Sequence, residues 1–172
     1  NGKIEEMYAD KKTSSSLSIP AGKFIEFSFL TKYSGFGSGT AYGFKSVQLD
    51  GNKFAITSAS IDFSTGKSVL FVQIGELSNG SIQYGSVYSF QLASSYMYPN
   101  TLFPIKISNS ELLLIYYDGT LLKCVNVTIS GNSVSFGESY EIYSGIATAS
   151  PILNASLIST NKILYICTIT NN

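Results

Sequence analysis

The sequence of 172 residues contains no histidine and no tryptophan. Without histidine, a His-based catalytic triad, a histidine metal site and an imidazole general base are all excluded. The groups for acid–base chemistry that remain include eleven carboxylates, most of which fall in predicted turns or on exposed strand faces. Cleavage of a glycosidic bond would need two of them about 5 to 9.5 Å apart across a cleft. We therefore expect a protein that is not an enzyme and that holds no metal and no cofactor.

Charge and long apolar runs are also scarce. Eleven basic and eleven acidic residues give a formal net charge of zero. Such a chain has no electrostatic footprint for nucleic acid or for an anionic membrane, so we expect neither as a partner. It also contains no apolar run of about 18 residues, so no segment is predicted to insert into a membrane.

Only two cysteines occur, Cys124 and Cys167. They occupy different places in the repeat described below, so they are not equivalent positions. A disulfide between them would need Cα atoms within roughly 7 Å of each other. The favoured interpretation is two buried thiols acting as small apolar side chains. Cysteine usage therefore leaves the redox compartment open.

The residues that are abundant indicate an all-β protein. Twelve tyrosines and eleven phenylalanines accompany many β-branched residues, with glycine and serine between them. No apolar period of 3.6 residues holds over three turns, so we predict almost no helix. The length suits one domain with a real core.

The chain repeats itself. Residues 78–85 match residues 130–137 at an offset of 52, and residues 47–54 match residues 105–112 at an offset of 58. The six extra residues fall between Ser58 and Gly66, where a turn is expected and an insertion is tolerated. A period of about 50 residues is typical of propeller blades and related β arrays.

Weaker copies lie at both ends. Residues 156–166 repeat residues 105–115 at an offset of 51. Residues 7–10 resemble residues 115–118, and residues 17–24 resemble residues 127–134. We therefore interpret 1–172 as a single all-β repeat domain, with a partial unit at 1–45, units at 46–103 and 104–154, and a partial unit at 155–172.

The predicted fold consists of about three four-stranded antiparallel units arranged as propeller-like blades. The strand at residues 112–116 is apolar on both faces, as expected of a sheet that lies between two others. Propellers usually need four or more blades. The chain could therefore belong to a longer array or close through identical chains, and a β-trefoil or β-prism is the less favoured alternative.

Two acidic segments are candidate turns. Residues 60–66 loosely resemble the Asp-box turn of sialidase-type propellers, but the spacing differs and the closing tryptophan is missing. We predict an Asx-type turn at Asp62 instead. Asp118 and Gly119 are also predicted to form a turn. Residues 33–44 and 93–104 are predicted to be connections between units, with residues 93–104 as the longest.

A three-part pattern carries a family resemblance. It comprises an apolar strand ending in Tyr-x-Asp (residues 112–118), an alternating strand ending in Ser-Gly (125–131) and a strand ending in Phe-Gly (134–137). This resembles repeats in phage tail fibres and in large surface proteins of Gram-positive bacteria and their phages, over most of residues 46–170. The resemblance implies adhesion, an extracellular, cell-surface or virion-tail location, and assembly as a homo-oligomer or larger fibre.

The candidate ligand-binding residues lie in or beside the connections between units. Tyrosine packs on sugar rings, donates a hydrogen bond and dominates adaptable binding surfaces. The candidates are Tyr33, Tyr42, Tyr96, Tyr98, Asn100 and Tyr143. They could instead cap the core or make subunit contacts. Our leading hypothesis is a module that binds a cell-surface glycan or protein, with a structural subunit of a fibre or virion as the alternative and a glycan-cleaving enzyme as the second alternative.

Overall fold

A computed structural model describes residues 42–62, 64–79, 81–93, 97, 101–119, 121–144, 153–159 and 162–167. All of them belong to one compact unit, Ser34–Asn172. This part of the chain contains ten strands and no α-helix, so the predicted all-β class is confirmed. The predicted partial unit at 1–45 lies almost wholly outside the described residues.

The strands follow one another in a regular order. Their bounds are β1 Tyr42–Asp50, β2 Lys53–Asp62, β3 Lys67–Ser78, β4 Ser81–Gln91, β5 Phe103–Ser108, β6 Glu111–Tyr117, β7 Leu122–Ser130, β8 Ser133–Tyr143, β9 Leu153–Ser159 and β10 Lys162–Cys167. The first sheet has the order β1-β2-β3-β4, the second sheet β5-β6-β7-β8, and the third sheet pairs β9 with β10. Every neighbouring pair is antiparallel. The predicted four-stranded antiparallel sheets are therefore present.

Short turns join neighbouring strands where the sequence predicts them. Gly51 follows β1 with a φ of 44°, and Gly131 follows β7 with a φ of 62°. Asn79 follows β3 with a φ of 50°. Glycine and asparagine tolerate this left-handed region better than other residues do, which explains why these hairpins turn here.

The offset of 52 seen in the sequence also relates the strands. β4 runs from 81 to 91 and β8 from 133 to 143, so both ends are shifted by the same 52 positions. Both sheets carry a register shift at the same place, between Gln73 and Gly75 in the first and between Val125 and Val127 in the second. The extra residues beside Gly85 and Gly137 form equivalent β-bulges.

The six additional residues of the first unit lie in strands rather than in a wider turn. β2 has 10 residues against 7 in β6, and β3 has 12 against 9 in β7. The insertion therefore lengthens the β2–β3 hairpin by three residues on each side, where Asp62 pairs with Lys67. Pairing satisfies the added backbone N–H and C=O groups, which an open loop would leave to water.

The predicted connection at residues 33–44 ends earlier than expected, because β1 already begins at Tyr42. The register shifts between Tyr42 and Lys45, and Gly43 has a φ of 65°. A bulge at this glycine lets the strand continue through a segment that its composition marks as a loop.

The first and second sheets pack face to face. The residues that meet between them are Leu49, Ala55, Ala59, Leu70, Val72 and Ile74 from the first sheet and Leu112, Leu114, Tyr116, Val125, Val127, Ile129 and Val134 from the second. Phe90 and Phe136 stack across this interface with ring centroids 5.4 Å apart. Each large apolar side chain buried here contributes about 1.5–3 kcal/mol.

The opposite face of the second sheet packs against the third. Ile105, Ile115, Tyr117 and Leu122 form a second apolar cluster with Ala155 of β9. Along β6, Leu114 and Tyr116 therefore point to the first sheet, while Ile115 and Tyr117 point towards the third. This confirms that the strand at residues 112–116 is buried on both faces.

Cys124 joins the cluster beneath the third sheet as a half-buried free thiol, so it forms no disulfide with Cys167. Burial raises the pKa of the Cys124 thiol, because desolvation disfavours the thiolate. At neutral pH the side chain therefore acts as a small apolar group, as the sequence favoured.

One cross-strand pair leaves no room for a larger side chain, and this can be tested. Gly75 lies opposite Phe54, and a Cβ added to Gly75 would stand 2.3 Å from Phe54 Cζ. The ring is buried and cannot swing away, so we expect Gly75→Ala to lower the free energy of unfolding by about 1–3 kcal/mol. Urea denaturation would measure this.

Two further variants serve as controls. Gly137→Ala, whose added Cβ would meet its nearest atom at 3.6 Å, should lower the free energy of unfolding less than Gly75→Ala does. Phe54→Leu should reduce the loss that Gly75→Ala causes. Equal costs for the two alanine variants would contradict this packing.

A second prediction concerns buried hydroxyls. Thr57 is fully buried, and its hydroxyl has no hydrogen-bond partner in the described part of the chain. We expect Thr57→Val to raise the free energy of unfolding by about 1 kcal/mol, because the change removes an unsatisfied polar group and keeps the shape. Thr101→Val is the matched control, since the buried Thr101 hydroxyl bonds both backbone groups of Tyr117. It should be destabilising in the same thermal and urea unfolding measurements, and a loss of stability in both variants would refute the assignment.

Candidate functional site

The sheets have two different ends. At one end lie the β2–β3 and β6–β7 turns, together with the starts of β1 and β5 and the ends of β4 and β8. We call this the crossover end, since the chain passes here from one sheet to the next. Connecting segments held by a rigid scaffold are where binding residues concentrate. The crossover end is therefore the candidate site.

Equivalent strands of the two sheets lie side by side, so their crossover ends face the same way. Lys45 Nζ is 5.4 Å from the centroid of the Phe103 ring, and these residues are 58 positions apart, the offset that relates the first strands. Further along, the Lys106 ammonium donates a hydrogen bond to the Leu49 carbonyl. β1 also contacts β5, and β5 contacts β9.

At the crossover end of the first sheet, Asp62 closes the β2–β3 turn. Its carboxylate accepts hydrogen bonds from the Ser64 amide at 2.9 Å, the Ser64 hydroxyl at 2.6 Å and the Thr65 hydroxyl at 2.9 Å. The Gly66 amide donates to the Asp62 carbonyl at 2.7 Å. These contacts form the predicted Asx-type turn. The hydrogen bonds from Ser64, followed by that from Thr65, hold the pKa of the Asp62 carboxyl below its usual value of 3.8.

The same turn is tied to the last strand of its sheet. Gln91 Nε2 donates to the Thr65 hydroxyl at 3.0 Å, and the Leu92 amide donates to the Ser68 carbonyl at 2.8 Å. The point where the chain leaves the first sheet is therefore fixed to the β2–β3 hairpin.

Asp118 has the corresponding place in the second sheet. Its carboxylate accepts the Leu121 amide at 2.8 Å and pairs with Lys123 Nζ at 2.6 Å. The hydrogen bond to Asp118 raises the pKa of Lys123, while partial burial opposes this shift. Tyr117 donates its hydroxyl to the Gly119 carbonyl at 2.9 Å, which braces the turn. The carboxylates of Asp62 and Asp118 thus act as turn and ion-pair groups.

The connection between β4 and β5 is anchored by contacts with the core and with the end of β6. Met97 and Leu102 are fully buried in the core between the first two sheets. Thr101 bonds the end of β6 through its hydroxyl, which accepts the Tyr117 amide at 3.3 Å and donates to the Tyr117 carbonyl at 3.4 Å. These anchors flank residues 98–100, which contain two of the predicted site residues, and a third, Tyr96, precedes Met97 directly.

The structure places two of the six predicted site residues. Tyr42 begins β1, where its backbone pairs with Ala59, and Tyr143 ends β8 with 44 % of its surface exposed. Both belong to the crossover end of their sheets. The other four candidates, Tyr33, Tyr96, Tyr98 and Asn100, lie outside the described residues.

One exposed aromatic residue near the crossover end was not predicted. Tyr140 lies three residues before Tyr143 in β8 and is 59 % exposed. The repeat points to its equivalent, Tyr88, which is half-buried against the core between the first two sheets. The sequence alone does not show that a side chain is covered in one unit and exposed at the equivalent position of the next.

Other chemical centres are not found in the described ranges. They contain no group of three or more His, Cys, Asp or Glu side chains placed to hold a metal ion. They also contain no helix long and apolar enough to cross a membrane.

Comparison of the chain with protein-family models, curated proteins and solved structures gives no match.

The hydrogen bonds to Asp62 predict a pH effect. A carboxyl group with a lowered folded pKa stabilises the fold above its unfolded pKa, and the contribution is lost as pH falls through the folded value. We therefore expect the wild type to be more stable than Asp62→Ala at pH values above about 4. The difference should shrink as pH falls below 3.8, the usual value for this group.

Urea unfolding of both proteins at a series of pH values would measure this difference. Ser64→Ala removes the strongest cause of the shift. In that background the effect of Asp62→Ala should vary less with pH. A difference that stays constant from pH 6 to pH 2 would refute the Asx-turn assignment.

Proposed function

We propose that the chain is an adhesion module of a surface protein or phage tail fibre that binds a cell-surface glycan or protein at its crossover end. The observation that carries this proposal is the pair of exposed tyrosines, Tyr140 and Tyr143, at the end where the inter-sheet connections lie. Two carboxylates of the same end, those of Asp62 and Asp118, are occupied by turn and ion-pair contacts. This favours binding over acid–base chemistry.

Exposed tyrosines suit such a role for a physical reason. A phenol ring offers a flat apolar face to a sugar ring or an apolar side chain, and its hydroxyl forms a hydrogen bond. Only two side-chain torsions are frozen on binding, so the entropic cost is small. A neutral binding surface of this kind also agrees with the absence of net charge.

The anchoring of the connections supports the same proposal. Met97, Leu102 and Thr101 hold the β4–β5 segment to the core, and Gln91 holds the end of β4 to the Thr65 turn. A connection fixed at such points loses less conformational entropy when it binds a ligand. Tyr96, Tyr98 and Asn100 are the residues of this segment that we propose contact the ligand.

We also propose that the sheets are successive blades of a propeller-like array. Three features support this arrangement: the four-stranded meander order, the side-by-side first strands and the stacking of each sheet on the next. Such arrays place their connections on shared faces, which is what a multi-loop binding surface needs. An extracellular or virion location is part of this proposal.

A structural subunit of an extracellular fibre or virion is the second candidate. It is favoured by the exposed aliphatic side chains of the third sheet, Ile158 and Leu164, which suit a protein contact better than a glycan contact.

A glycan array probed with the soluble protein tests the adhesion proposal. We expect binding to at least one glycan class, and an at least tenfold loss of affinity (about 1.4 kcal/mol) in the triple variant Tyr96→Ala, Tyr98→Ala, Tyr143→Ala. Tyr84→Ala is the matched control, because Tyr84 is similarly exposed at 39 % but lies near the opposite end of its sheet.

Circular dichroism and thermal unfolding would verify that the variants fold. If the triple variant binds as tightly as the wild type, the crossover end is not the binding surface. If no glycan and no host surface protein is bound at all, the structural-subunit candidate replaces adhesion.

A further inference from the structure

Three segments of the chain carry the triplet Asn-x-Ser/Thr, which is the acceptor sequence for N-linked glycosylation. They begin at Asn79, Asn126 and Asn154. The triplet alone does not identify a site, because it also arises by chance in a chain rich in asparagine and serine. The surroundings of each side chain separate the three asparagines.

Two of these asparagines are held in paired strands. Asn126 lies within β7, between β6 and β8, and its Nδ2 donates a hydrogen bond to Glu111 Oε1 at 2.6 Å. The Asn126 side chain is half-buried, so a sugar on Nδ2 would replace this hydrogen bond and would have to fit into packed surroundings. Asn154 is exposed, but its backbone pairs with Ile166 within β9. Acceptor asparagines are typical of surface loops, which neither residue occupies.

Asn79 is the asparagine that lies in a turn. It follows the end of β3, where the chain reverses into β4, and its side chain is exposed. Its side-chain amide makes no hydrogen bond within the described part of the chain. The Asn79 Nδ2 atom is therefore free to react, and a group attached to it would extend into solvent.

The repeat shows that the turn itself does not require asparagine. The offset of 52 takes Asn79 to Gly131, and both residues have a left-handed backbone, with φ of 50° and 62°. Glycine adopts this conformation without a steric penalty, whereas asparagine tolerates it at some cost. The exchange therefore adds an exposed amide at a position where glycine suits the backbone better.

Ser81 supplies the second part of the acceptor sequence. It begins β4 and is exposed, as Asn79 is. Its hydroxyl donates a hydrogen bond to the Ser78 carbonyl at 3.0 Å and accepts one from Gln83 Nε2 at 3.3 Å. This hydroxyl is the group that identifies the acceptor two residues after the asparagine. Both groups that define the acceptor thus lie at the surface of the folded chain.

We propose that Asn79 is a site of N-linked glycosylation. Asn79 Nδ2 forms a bond to C1 of the first sugar of a lipid-diphosphate oligosaccharide. The bond between that C1 and the diphosphate oxygen breaks, the amide loses one proton, and the lipid diphosphate leaves. An oligosaccharyltransferase of a secretory pathway catalyses this transfer. The proposal therefore rests on the extracellular location proposed above and is independent of the ligand.

The position of Asn79 suits a permanent glycan. The β3–β4 turn lies at the end of the first sheet opposite the crossover end, so a glycan there leaves the connections between sheets clear. β4 contains no charged residue, and it is the last strand of its sheet in the described ranges. Its equivalent β8 has Glu138 and Glu141 where β4 has Ser86 and Ser89. Charged or covered edges resist pairing with other chains, and a glycan at the start of β4 would cover this uncharged edge.

Expression of residues 1–172 behind a cleavable secretion signal in eukaryotic cells tests the proposal. Peptide-N-glycosidase converts each glycosylated asparagine to aspartate, and peptide mass spectrometry then gives the occupancy of each position. We expect Asn79 to be occupied and Asn126 to be unoccupied in the secreted protein. Ser81→Ala keeps Asn79 but removes the identifying hydroxyl, so it should abolish occupancy of Asn79.

Two control variants separate recognition of the triplet from folding of the turn. Ser81→Thr keeps a hydroxyl at this position and should leave Asn79 occupied. Asn79→Gly places the residue of the second sheet in the turn, so the chain should fold, be secreted and lose the mass of one glycan.

An unmodified Asn79 in the secreted wild type, an occupied Asn79 in Ser81→Ala, or a glycan on Asn126 would each overturn the proposal. Circular dichroism identifies a variant that fails to fold. If Ser81→Ala is that variant, the intact mass of Asn79→Gly decides the outcome, because an unchanged glycan mass places the modification elsewhere.

Discussion

The burial of β6 on both faces is the constraint from which the rest of the architecture follows. All residues from Leu112 to Tyr117 are apolar or aromatic, and Leu112, Leu114, Ile115 and Tyr117 are nearly or fully excluded from solvent. A strand like this is stable only with a sheet on each side, since a single exposed face would leave several large side chains in water. The second sheet therefore lies between the first and the third.

That layering determines where chemistry can occur. Packing covers the facing sides of the sheets, and in the described part of the chain the inter-sheet connections lie at the crossover end. Asp62 and Asp118 show what the local polar groups are used for: each carboxylate accepts amide hydrogen bonds that the turn would otherwise leave unsatisfied. Beside these turns the side chains of Tyr140, Glu141 and Tyr143 are exposed, and the two tyrosines are the basis of the binding role proposed above.

Most of the fold could be predicted from the sequence, because hairpin turns and two-residue alternation are local signals. Asp50, Gly51 and Asn52 mark the first hairpin, and the offset of 52 gives the limits of β4 and β8. The longer β2–β3 hairpin could not be predicted. Six inserted residues change the offset of the repeat by the same amount whether they extend the paired strands or form a wider loop. Burial caused the other failure: Tyr140 and Tyr88 are equivalent in sequence, yet only contacts with a neighbouring sheet make one half-buried and leave the other exposed.

The repeat therefore shows which residues of the sheets are equivalent. The neighbours of each sheet determine how those equivalent residues pack and how exposed they are. Phe54 faces Gly75 in the first sheet where Leu112 faces Val127 in the second, so a large–small pair replaces a pair of medium side chains at one equivalent site. In the first sheet the Phe54 ring fills the space that the missing side chain of Gly75 leaves, which keeps the pair packed. Ile158 occupies the same repeat position as the buried Leu49 but is 63 % exposed in the third sheet, so the repeat alone does not determine the burial of a position. Burial depends on whether a neighbouring sheet covers that face, because the same apolar pattern can be packed in one sheet and open in another.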